Sequence, residues 1–376
     1  MNPVKFLSLF SGIGSPEKAL KNLGVPYELV GFSEIDKYAV KSYCAVHDVD
    51  ESLNLGDITK IDEKALPKDI DLITYGFPCQ DISLAGKQKG LFNEDGSQTR
   101  SGLFFEALRI IEATQPKVAI AENVKNLVGK KFKAQFELVL SSLEQAGYNN
   151  YWQVLNAKDY GIPQNRERVF IVSIRKDIDN GLLEFPKGFP LELRLKDMLD
   201  DEVDEKYYIT TEQATKIVNW KAQQKPFERV LGEESVSPCL TARGAGEYHS
   251  GMIIYSPENK ETTNMQLIVK EATKKGYTEA VEGDSINFEQ PNSKTRRGRV
   301  GKQVAQTLTT STQQGAVLED LRIRKLTPKE CWRLMGFEDS DFEKAEAVNS
   351  NTQLYKQAGN SIVVSVIEAI FQQFLI

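Results

Sequence analysis

Apolar runs of strand length alternate with helical patterns along the first half of the chain. The strand-like runs are Val4–Phe10, Glu28–Ser33, Ile70–Tyr75, Val118–Ala121 and Val169–Ile174. Between them, apolar residues recur at helical spacing in segments that begin at Pro16 and then cover Lys37–His47, Leu103–Ala113 and Phe132–Ala146. Strict alternation of strands and helices is typical of a doubly wound parallel sheet. We therefore predict an α/β fold up to about Arg175.

The pattern changes after about residue 180. Between Asn180 and Arg324 the regular alternation fades, and short β-like runs such as Met252–Tyr255 and Leu267–Val269 replace it. Helical spacing returns after Thr327, which is an N-cap residue followed by proline. A turn at Gln357–Ser361 then precedes an apolar terminal helix, Ile362–Leu375. This layout predicts an α/β domain of residues 1–180 and 326–376, interrupted by an irregular inserted domain of residues 181–325.

Composition narrows the class of protein. No apolar run reaches the length of a membrane span, and Met1–Ser8 lacks the features of a signal peptide. We therefore expect a cytoplasmic protein with no membrane partner. The four cysteines are scattered and there are only two histidines, so we expect no disulfide framework, no metal site and no Ser-His-Asp triad. A net charge of −6 argues against non-specific coating of nucleic acid but permits a local basic surface.

Cys79 stands in an unusual setting. Gly76 and Pro78 break regular structure directly after the apolar run Ile70–Tyr75, so Cys79 is expected on a constrained loop at a strand's carboxyl end. Ligands of open α/β sheets bind at that edge. The competing interpretation is that Cys79 is one more small buried hydrophobe.

The segment after the first strand has the form of a cofactor loop. Gly12 and Gly14 form a Gly-x-Gly turn, but Glu17 stands where a dinucleotide fingerprint has its third glycine. A cofactor without phosphates fits this pattern, and a plain tight turn fits it equally well. Glu34, some twenty residues later, is placed for ribose hydroxyls. Asp36 is open to interpretation as a helix N-cap, and Asp57 is placed for an adenine amino group.

Charged groups follow two later strands. Glu122 comes directly after Val118–Ala121 and is placed to act as an acid. Arg166 and Arg168 lead into the strand Val169–Ile174, where an ion-pair role is also open. The basic run Lys294–Lys302 suits phosphate contacts, although a solvated loop is the usual explanation of such a run.

Together these motifs resemble those of the DNA (cytosine-5)-methyltransferases of bacteria and phages. The matching blocks, in the family's order, are Phe10–Gly14, Gly76–Gln80, Glu122–Val124, Gln164–Arg168, Arg333–Phe337 and Gln357–Ser361. The resemblance covers nearly the whole chain except the inserted region. It implies a Rossmann-like sheet that binds S-adenosyl-L-methionine, with the inserted domain recognising the target sequence.

The resemblance also implies roles for individual residues. Cys79 would be the nucleophile, with Glu122, Arg166 and Arg168 as its catalytic partners. The expected cofactor residues are Phe10, Gly12, Gly14, Glu34, Asp57, Ile58, Pro78, Leu103, Asn360 and Ser361. The expected contacts to DNA are Gln80, Ser83, Lys87, Arg100, Gln164, Arg297, Arg299, Thr307 and Leu308. The lid over the site would be Ser83–Arg100, and Thr307-Leu308 is preferred to Leu240-Thr241 because the basic run lies just upstream.

The implied activity is methylation of cytosine C5 within a short duplex DNA sequence. A flipped-out base would be attacked at C6 by Cys79. The implied partner is double-stranded DNA, and a restriction endonuclease would be paired functionally without a stable complex. We expect a monomer. The alternatives are an RNA (tRNA) cytosine-5 methyltransferase, a catalytically silent DNA-binding regulator and, disfavoured by the missing third glycine, a nicotinamide-dependent dehydrogenase.

Overall fold

The structure is a computed structural model that describes residues 2–82, 88–208, 267–289, 293, 295, 297–309, 314–317 and 323–375. The chain divides into two compact units. The first contains Met1–Glu192, Thr309–Ser311 and Cys331–Ile376, and the second contains Leu193–Leu308 and Thr312–Glu330. None of the described helices is long and apolar enough to cross a membrane.

The edges of these units differ from the boundaries predicted after residues 180 and 325. The chain beyond residue 180 stays with the first unit, because the Tyr160 hydroxyl donates to the Pro186 carbonyl at 2.8 Å and the Phe189 amide donates to the Asp159 carbonyl at 3.0 Å. At the other boundary, a buried ion pair of 2.7 Å joins Arg324 to Glu330 within the second unit.

A six-stranded sheet forms the centre of the first unit. The strands of this unit are β1 (Val4–Leu9), β2 (Tyr27–Ser33), β3 (Leu72–Tyr75), β4 (Val118–Val124), β5 (Tyr148–Asn156), β6 (Gln164–Asn165) and β7 (Glu167–Arg175). The order in the six-stranded sheet is β2-β1-β3-β4-β7-β5. Chain order reverses between β1 and β3, and such a switch point is where open α/β sheets bind ligands.

The sheet is mixed rather than wholly parallel. Strands β1 to β4 pair in parallel, whereas β7 runs antiparallel to both β4 and β5. The fully parallel sheet expected up to Arg175 is therefore wrong at this edge. Only residues 157–166 connect β5 to β7, and a parallel crossover needs a dozen or more residues.

Eight α-helices lie among the described residues. They are α1 (Ser15–Asn22), α2 (Lys37–His47), α3 (Phe104–Thr114), α4 (Lys133–Gln145), α5 (Pro328–Arg333), α6 (Asp339–Glu346), α7 (Asn351–Asn360) and α8 (Val364–Phe371). Helix α3 buries Phe104, Ala107, Leu108 and Ile111 at helical spacing, which explains its orientation toward the core. Helix α1 packs against α8.

The C-terminal part of the chain shows one confirmed and one wrong local prediction. Thr327 and Glu330 form a reciprocal capping box at the start of α5, with the Thr327 amide donating to Glu330 Oε2 at 2.7 Å and the Glu330 amide donating to Thr327 Oγ1 at 3.2 Å. The turn expected at Gln357–Ser361 is instead mostly helical, because it forms the last turn of α7.

The second unit is smaller and built from short strands. These are β8 (Leu267–Lys270), β9 (Tyr277–Ala280), β10 (Ser285–Asn287), β11 (Val300–Gly301), β12 (Ala305–Gln306), β13 (Gln314–Val317) and β14 (Ile323–Lys325). Strands β11-β10-β13-β14 form one sheet, and β8 pairs with β9. The β-like run Leu267–Val269 is confirmed in β8, while Met252–Tyr255 lies outside the described residues.

Candidate active site

A cavity of about 340 Å³ lies within the first unit at the carboxyl ends of β1, β3 and β4. Its volume is in the range of small-molecule sites. Most of the residues predicted to bind cofactor or act in catalysis line it, namely Phe10, Gly12, Glu34, Asp57, Ile58, Pro78, Cys79, Leu103, Glu122, Arg166, Arg168 and Asn360. Residues distant in sequence therefore converge on one space.

The loop that carries Cys79 is anchored from the neighbouring strand. The Asn123 side chain donates to the Phe77 carbonyl at 3.0 Å, and the Ile82 amide donates to the Cys79 carbonyl at 2.9 Å. Phe77 is buried against the ring of Phe104, with a centroid separation of 5.6 Å. These contacts fix the backbone on both sides of Cys79, so the thiol is presented to the cavity from a rigid support.

Glu122 and Arg168 form an ion pair at the same end of the cavity. Arg168 Nε lies 2.9 Å from Glu122 Oε1, and both side chains are largely buried. The antiparallel pairing of β4 with β7 brings the two residues together, since Val124 lies opposite Arg168 in this ladder. The site thus holds a thiol, a carboxyl group and a guanidinium within one cavity.

Burial and the neighbouring charges together set the direction in which the pKa of the Cys79 thiol shifts. Burial raises the pKa of Cys79, and the negative charge of Glu122 raises it further. The positive charges of Arg168 and Arg166 oppose this increase only in part. The thiol is therefore protonated at neutral pH in this state, and protonation of Glu122 would favour the thiolate.

Arg166 has a different position from its neighbour. Its Nη2 group donates to the Ser361 carbonyl at 2.6 Å and to the Gly359 carbonyl at 3.1 Å. Burial, together with the charge of Arg168, lowers the pKa of Arg166 to about 9, which still leaves it charged at pH 7. Arg166 therefore links the residue just before β7 to the C-terminal end of α7, and it also lines the cavity.

The glycine loop is held by Glu34. Glu34 Oε2 accepts from the Gly12 amide at 3.0 Å, and Oε1 accepts from the Asp36 amide at 2.8 Å. Burial raises the pKa of Glu34. Phe10 and Gly12 both have positive φ, 52° and 56°, and this unusual backbone turns the loop over the cavity.

Asp36 and Asp57 each cap a helical turn. The Asp36 side chain accepts from the Tyr38 amide at 3.0 Å at the start of α2, which confirms the N-cap interpretation, and Lys356 Nζ lies 2.6 Å from it. Asp57 accepts from the amide and hydroxyl of Thr59 at 3.0 and 2.8 Å. Those hydrogen bonds lower the pKa of Asp57, so it faces the cavity as a carboxylate.

Comparison with known proteins decides the family. A family model described as C-5 cytosine-specific DNA methylase matches residues 4–375. The chain belongs to this family. Members of the family are DNA methyltransferases, and methyltransferases of this kind use S-adenosylmethionine.

Curated relatives match the methylase over nearly its full length. The orphan methyltransferase M.SPRI of Bacillus phage SPR is 35% identical and covers 100% of this chain and 98% of the relative. The type II methyltransferase M2.ScrFI of Lactococcus lactis subsp. cremoris is 35% identical over 98% of both chains. M.HhaI of Haemophilus parahaemolyticus is 32% identical, over 98% of this chain and 93% of its own.

Solved structures confirm the Rossmann-like fold. The S. pombe Dnmt2 methyltransferase superposes with a TM-score of 0.58 at 18% identity, covering 100% of this chain and 98% of that one. A putative DNA modification methyltransferase encoded within an E. coli prophage gives a TM-score of 0.58 at 20% identity, covering 99% and 98%.

Two predicted cofactor residues of the methylase lie beside the main cavity. Ser361 lines an adjacent cavity of about 50 Å³ that also reaches Glu122 and Asn360, and its hydroxyl is 2.7 Å from that of Ser15. Gly14 lies against His47, whose Nε2 is 2.9 Å from the Ile13 carbonyl. Burial lowers the pKa of His47 to about 3, so its ring is neutral at pH 7.

The predicted DNA contacts of the first unit separate into two groups. Gln80 is exposed and lines the cavity, and Arg100 is exposed outside it. Gln164 is fully buried, and its side-chain Nε2 group donates to the Leu334 carbonyl at 2.7 Å. Its contact with DNA stays a prediction. Ser83 and Lys87 lie outside the described residues.

The predicted DNA contacts of the second unit also differ in exposure. Arg297 is exposed, although its Nε donates to the Ala272 carbonyl at 3.0 Å. Arg299 is buried and donates to the carbonyls of Asn287 and Glu289, and its phosphate contact stays a prediction. Leu308 is also buried, and the half-buried Thr307 uses its carbonyl to accept from Gln314 at 3.0 Å.

Further residues line the cavity without having been assigned a site role from the sequence, although several of them belong to the matching motif blocks. These are Ile13, Ser33, Ile35, Asp36, Ala39, Gly76, Phe77, Val124, Lys356, Gln357 and Gly359. Most of them adjoin a predicted residue in sequence. Lys356 and Gln357 carried a usable signal, since they lie one helical turn before Asn360.

We predict that Gly14→Ala is destabilising and that part of the loss depends on His47. A Cβ atom at Gly14 would lie 2.1 Å from His47 Nε2, at a φ of 79° that costs an alanine about 1–2 kcal/mol. In the double variant with His47→Ala the overlap with His47 is gone, while the backbone cost and a 3.0 Å approach to Tyr43 Cε2 stay. In urea unfolding, the double variant should therefore lose about 1 kcal/mol less free energy of unfolding than the two single variants lose together. Additive losses would contradict the contact.

We predict that alkylation of Cys79 depends on pH through Glu122. Because burial and the Glu122 charge raise the thiol pKa, the half-maximal rate with iodoacetamide should lie above about 8.5, the value of an unperturbed thiol. Glu122→Gln removes the negative charge and should move this midpoint to lower pH. Peptide-resolved mass spectrometry checks the rate, with the exposed Glu144→Gln as the control. A midpoint unchanged by Glu122→Gln would contradict the coupling.

Proposed function

We propose that this chain transfers a methyl group from S-adenosyl-L-methionine to C5 of cytosine in a specific duplex DNA sequence. The observation that carries the proposal is the convergence of Cys79, Glu122 and Arg168 on one cavity that the glycine loop also lines. Duplex cytosine is inaccessible inside the helix, so the base must be flipped out at a cost of a few kcal/mol.

The cofactor half of the cavity fits this methyl donor. Glu34 and Asp57 line it and would repel a pyrophosphate, whereas they suit ribose hydroxyls and an adenine amino group. Asn360 and the glycine loop complete that half. When bound, S-adenosylmethionine supplies an electrophilic methyl group.

The other half of the cavity supports attack on the base. The Cys79 thiol gives its proton to the Glu122 carboxylate, and the thiolate forms a bond to C6 of cytosine, which moves the electron pair of the C5–C6 double bond toward C4 and that of the N3–C4 double bond onto N3. Glu122 donates a proton to N3 and so neutralises the negative charge that develops there. Arg168 is placed to hold O2 by charge and hydrogen bonding.

The same thiol completes the reaction. Activation makes C5 a nucleophile: N3 returns its proton to Glu122, the N3–C4 double bond forms again, and the C4–C5 electron pair bonds to the methyl group, whose bonding electrons stay with the donor sulfur as a thioether. A base, for which solvent water suffices, then removes the C5 proton. The electron pair of that C–H bond restores the C5–C6 double bond, and the bond from C6 to sulfur breaks, which returns the Cys79 thiolate. A thiolate is both a good nucleophile and a good leaving group, so cysteine serves both steps where serine would not.

The second unit is the proposed reader of the DNA sequence. Arg297 lies in its basic run and is exposed, which supports a contact to the DNA backbone. Relatives include orphan and type II methyltransferases. We therefore propose that the product protects DNA against a restriction endonuclease, that the endonuclease forms no stable complex with this chain, and that the chain acts as a cytoplasmic monomer.

The test is bisulfite sequencing of DNA from cells that express the protein. We expect 5-methylcytosine at one short sequence, and none in cells that express Cys79→Ala. The purified Cys79→Ala variant should still bind DNA and S-adenosylhomocysteine, which is the control for folding. Unchanged methylation by the Cys79→Ala variant would contradict the mechanism. Methyl transfer to tRNA but not to duplex DNA would instead favour the RNA alternative.

A further inference from the structure

Arg109 lies behind the cavity and holds the turn that presents Asp57. It belongs to α3, and its Nη2 group donates to the Ile58 carbonyl at 3.0 Å. Its Nη1 group donates to the Ile61 carbonyl at 3.0 Å. One guanidinium therefore fixes two carbonyls of the same short segment.

Two carboxylates hold the guanidinium in place. Arg109 Nε donates to Glu106 Oε2 at 3.1 Å, one turn earlier on α3, and Nη1 also pairs with Glu63. All of these side chains are about one quarter to one third exposed. A planar group with donors on several edges can satisfy this set at once, whereas a lysine ammonium cannot span it.

The segment that Arg109 holds is a single helical turn, Ile58–Lys60. Asp57 caps its first end through Thr59, and the Lys60 amide donates to the Asp57 carbonyl at 2.8 Å. At its other end, the internal bond from the Ile61 amide to the Ile58 carbonyl is long, at 3.4 Å. Arg109 supplies stronger contacts at that end, so the turn is fixed from both sides.

This turn forms a wall of the cofactor half of the cavity. Asp57 and Ile58 both line the cavity, and Ile58 is buried. Leu103, in the turn Ser101–Leu103 just before α3, lines it as well. Arg109 lies on α3, which follows the Leu103 turn, and it contacts the Ile58–Lys60 turn. It therefore links these two parts of the wall, although it does not itself line the cavity.

We propose that Arg109 is a positioning residue for the methyl donor, acting through the Asp57–Ile61 turn. The proposal rests on the proposed cofactor. A rotation of this turn would move the Asp57 carboxylate away from the donor's adenine and change the packing of Ile58. It would leave Cys79, Glu122 and Arg168 in place, because other contacts hold them. Loss of Arg109 should thus weaken donor binding and spare the chemical step.

A matched arginine separates this role from general stabilisation. Arg175 also contacts α3, since its Nη1 group donates to the Gln115 carbonyl at the helix C-cap and its Nε donates to Asp177 at 2.7 Å. These contacts lie at the other end of α3, away from the cavity. Arg175→Ala should destabilise the same helix without moving the Asp57 turn.

The experiment is calorimetric titration with S-adenosylmethionine and S-adenosylhomocysteine, alongside thermal unfolding of each variant. We expect Arg109→Ala to weaken both ligands about tenfold and Arg109→Lys to weaken them less. Steady-state assays at saturating donor should give a kcat within about twofold of the unmodified protein. Arg175→Ala should lower Tm and leave the affinities unchanged.

Equal affinities in the unmodified protein and in both Arg109 variants would overturn the proposal, as would an equal loss of affinity in Arg175→Ala. If Arg109→Ala fails to fold, the comparison of Arg109→Lys with Arg175→Lys decides the question on the same criteria. Failure of the unmodified protein to bind either ligand would overturn the proposed cofactor itself, and that outcome differs from equal binding by all variants.

Discussion

The parallel alignment of β1, β3 and β4 is the constraint on which the candidate site depends. Leu9 lies beside Tyr75, and Tyr75 lies beside Ala121. The glycine loop, the cysteine loop and Glu122 consequently leave the sheet at one edge. Each of these segments is ordinary by itself. The register of the sheet brings the glycine loop, a thiol and a carboxyl group to one cavity.

Electrostatics within that cavity controls when the thiol reacts. The Cys79 thiol stays protonated because it is buried near the Glu122 carboxylate, while Arg168 pairs with that carboxylate. A bound base that shares a proton with Glu122 at N3 would reduce the negative charge of that carboxylate and so weaken the repulsion at the sulfur. The proposed mechanism thus links activation of Cys79 to the presence of its substrate, which protects the thiol in the resting state.

Much of this site was predictable from local sequence. Cys79 and Glu122 each follow an apolar run, where the register of parallel strands brings them together. Arg168 precedes its apolar run and reaches the same edge because β7 runs antiparallel to β4. The local pattern failed where contacts come from distant segments. It could not indicate that the Gln164 side chain donates to the Leu334 carbonyl. Nor could it indicate that Arg299 is buried and donates to two backbone carbonyls.

The antiparallel edge of the sheet shows the same limit. Apolar content predicts that β7 is a strand, but its direction depends on the short connection from β5. Likewise, Arg109 and Lys356 sit on helices and look like surface charges in the sequence. Only the packed structure shows their partners, the Ile58 and Ile61 carbonyls in one case and Asp36 in the other. The sequence motifs thus locate the reacting groups, and the tertiary contacts reveal the groups that support them.

The most direct test of the central claim is trapping of the covalent intermediate. A duplex with 5-fluorocytosine at the position methylated in cells would be incubated with the protein and S-adenosylmethionine. Fluorine at C5 blocks the loss of a proton that the release of sulfur requires, so a stable adduct is predicted. Peptide mass mapping should place the modified base on Cys79. An adduct on another residue, or complete turnover with no adduct, would contradict the account.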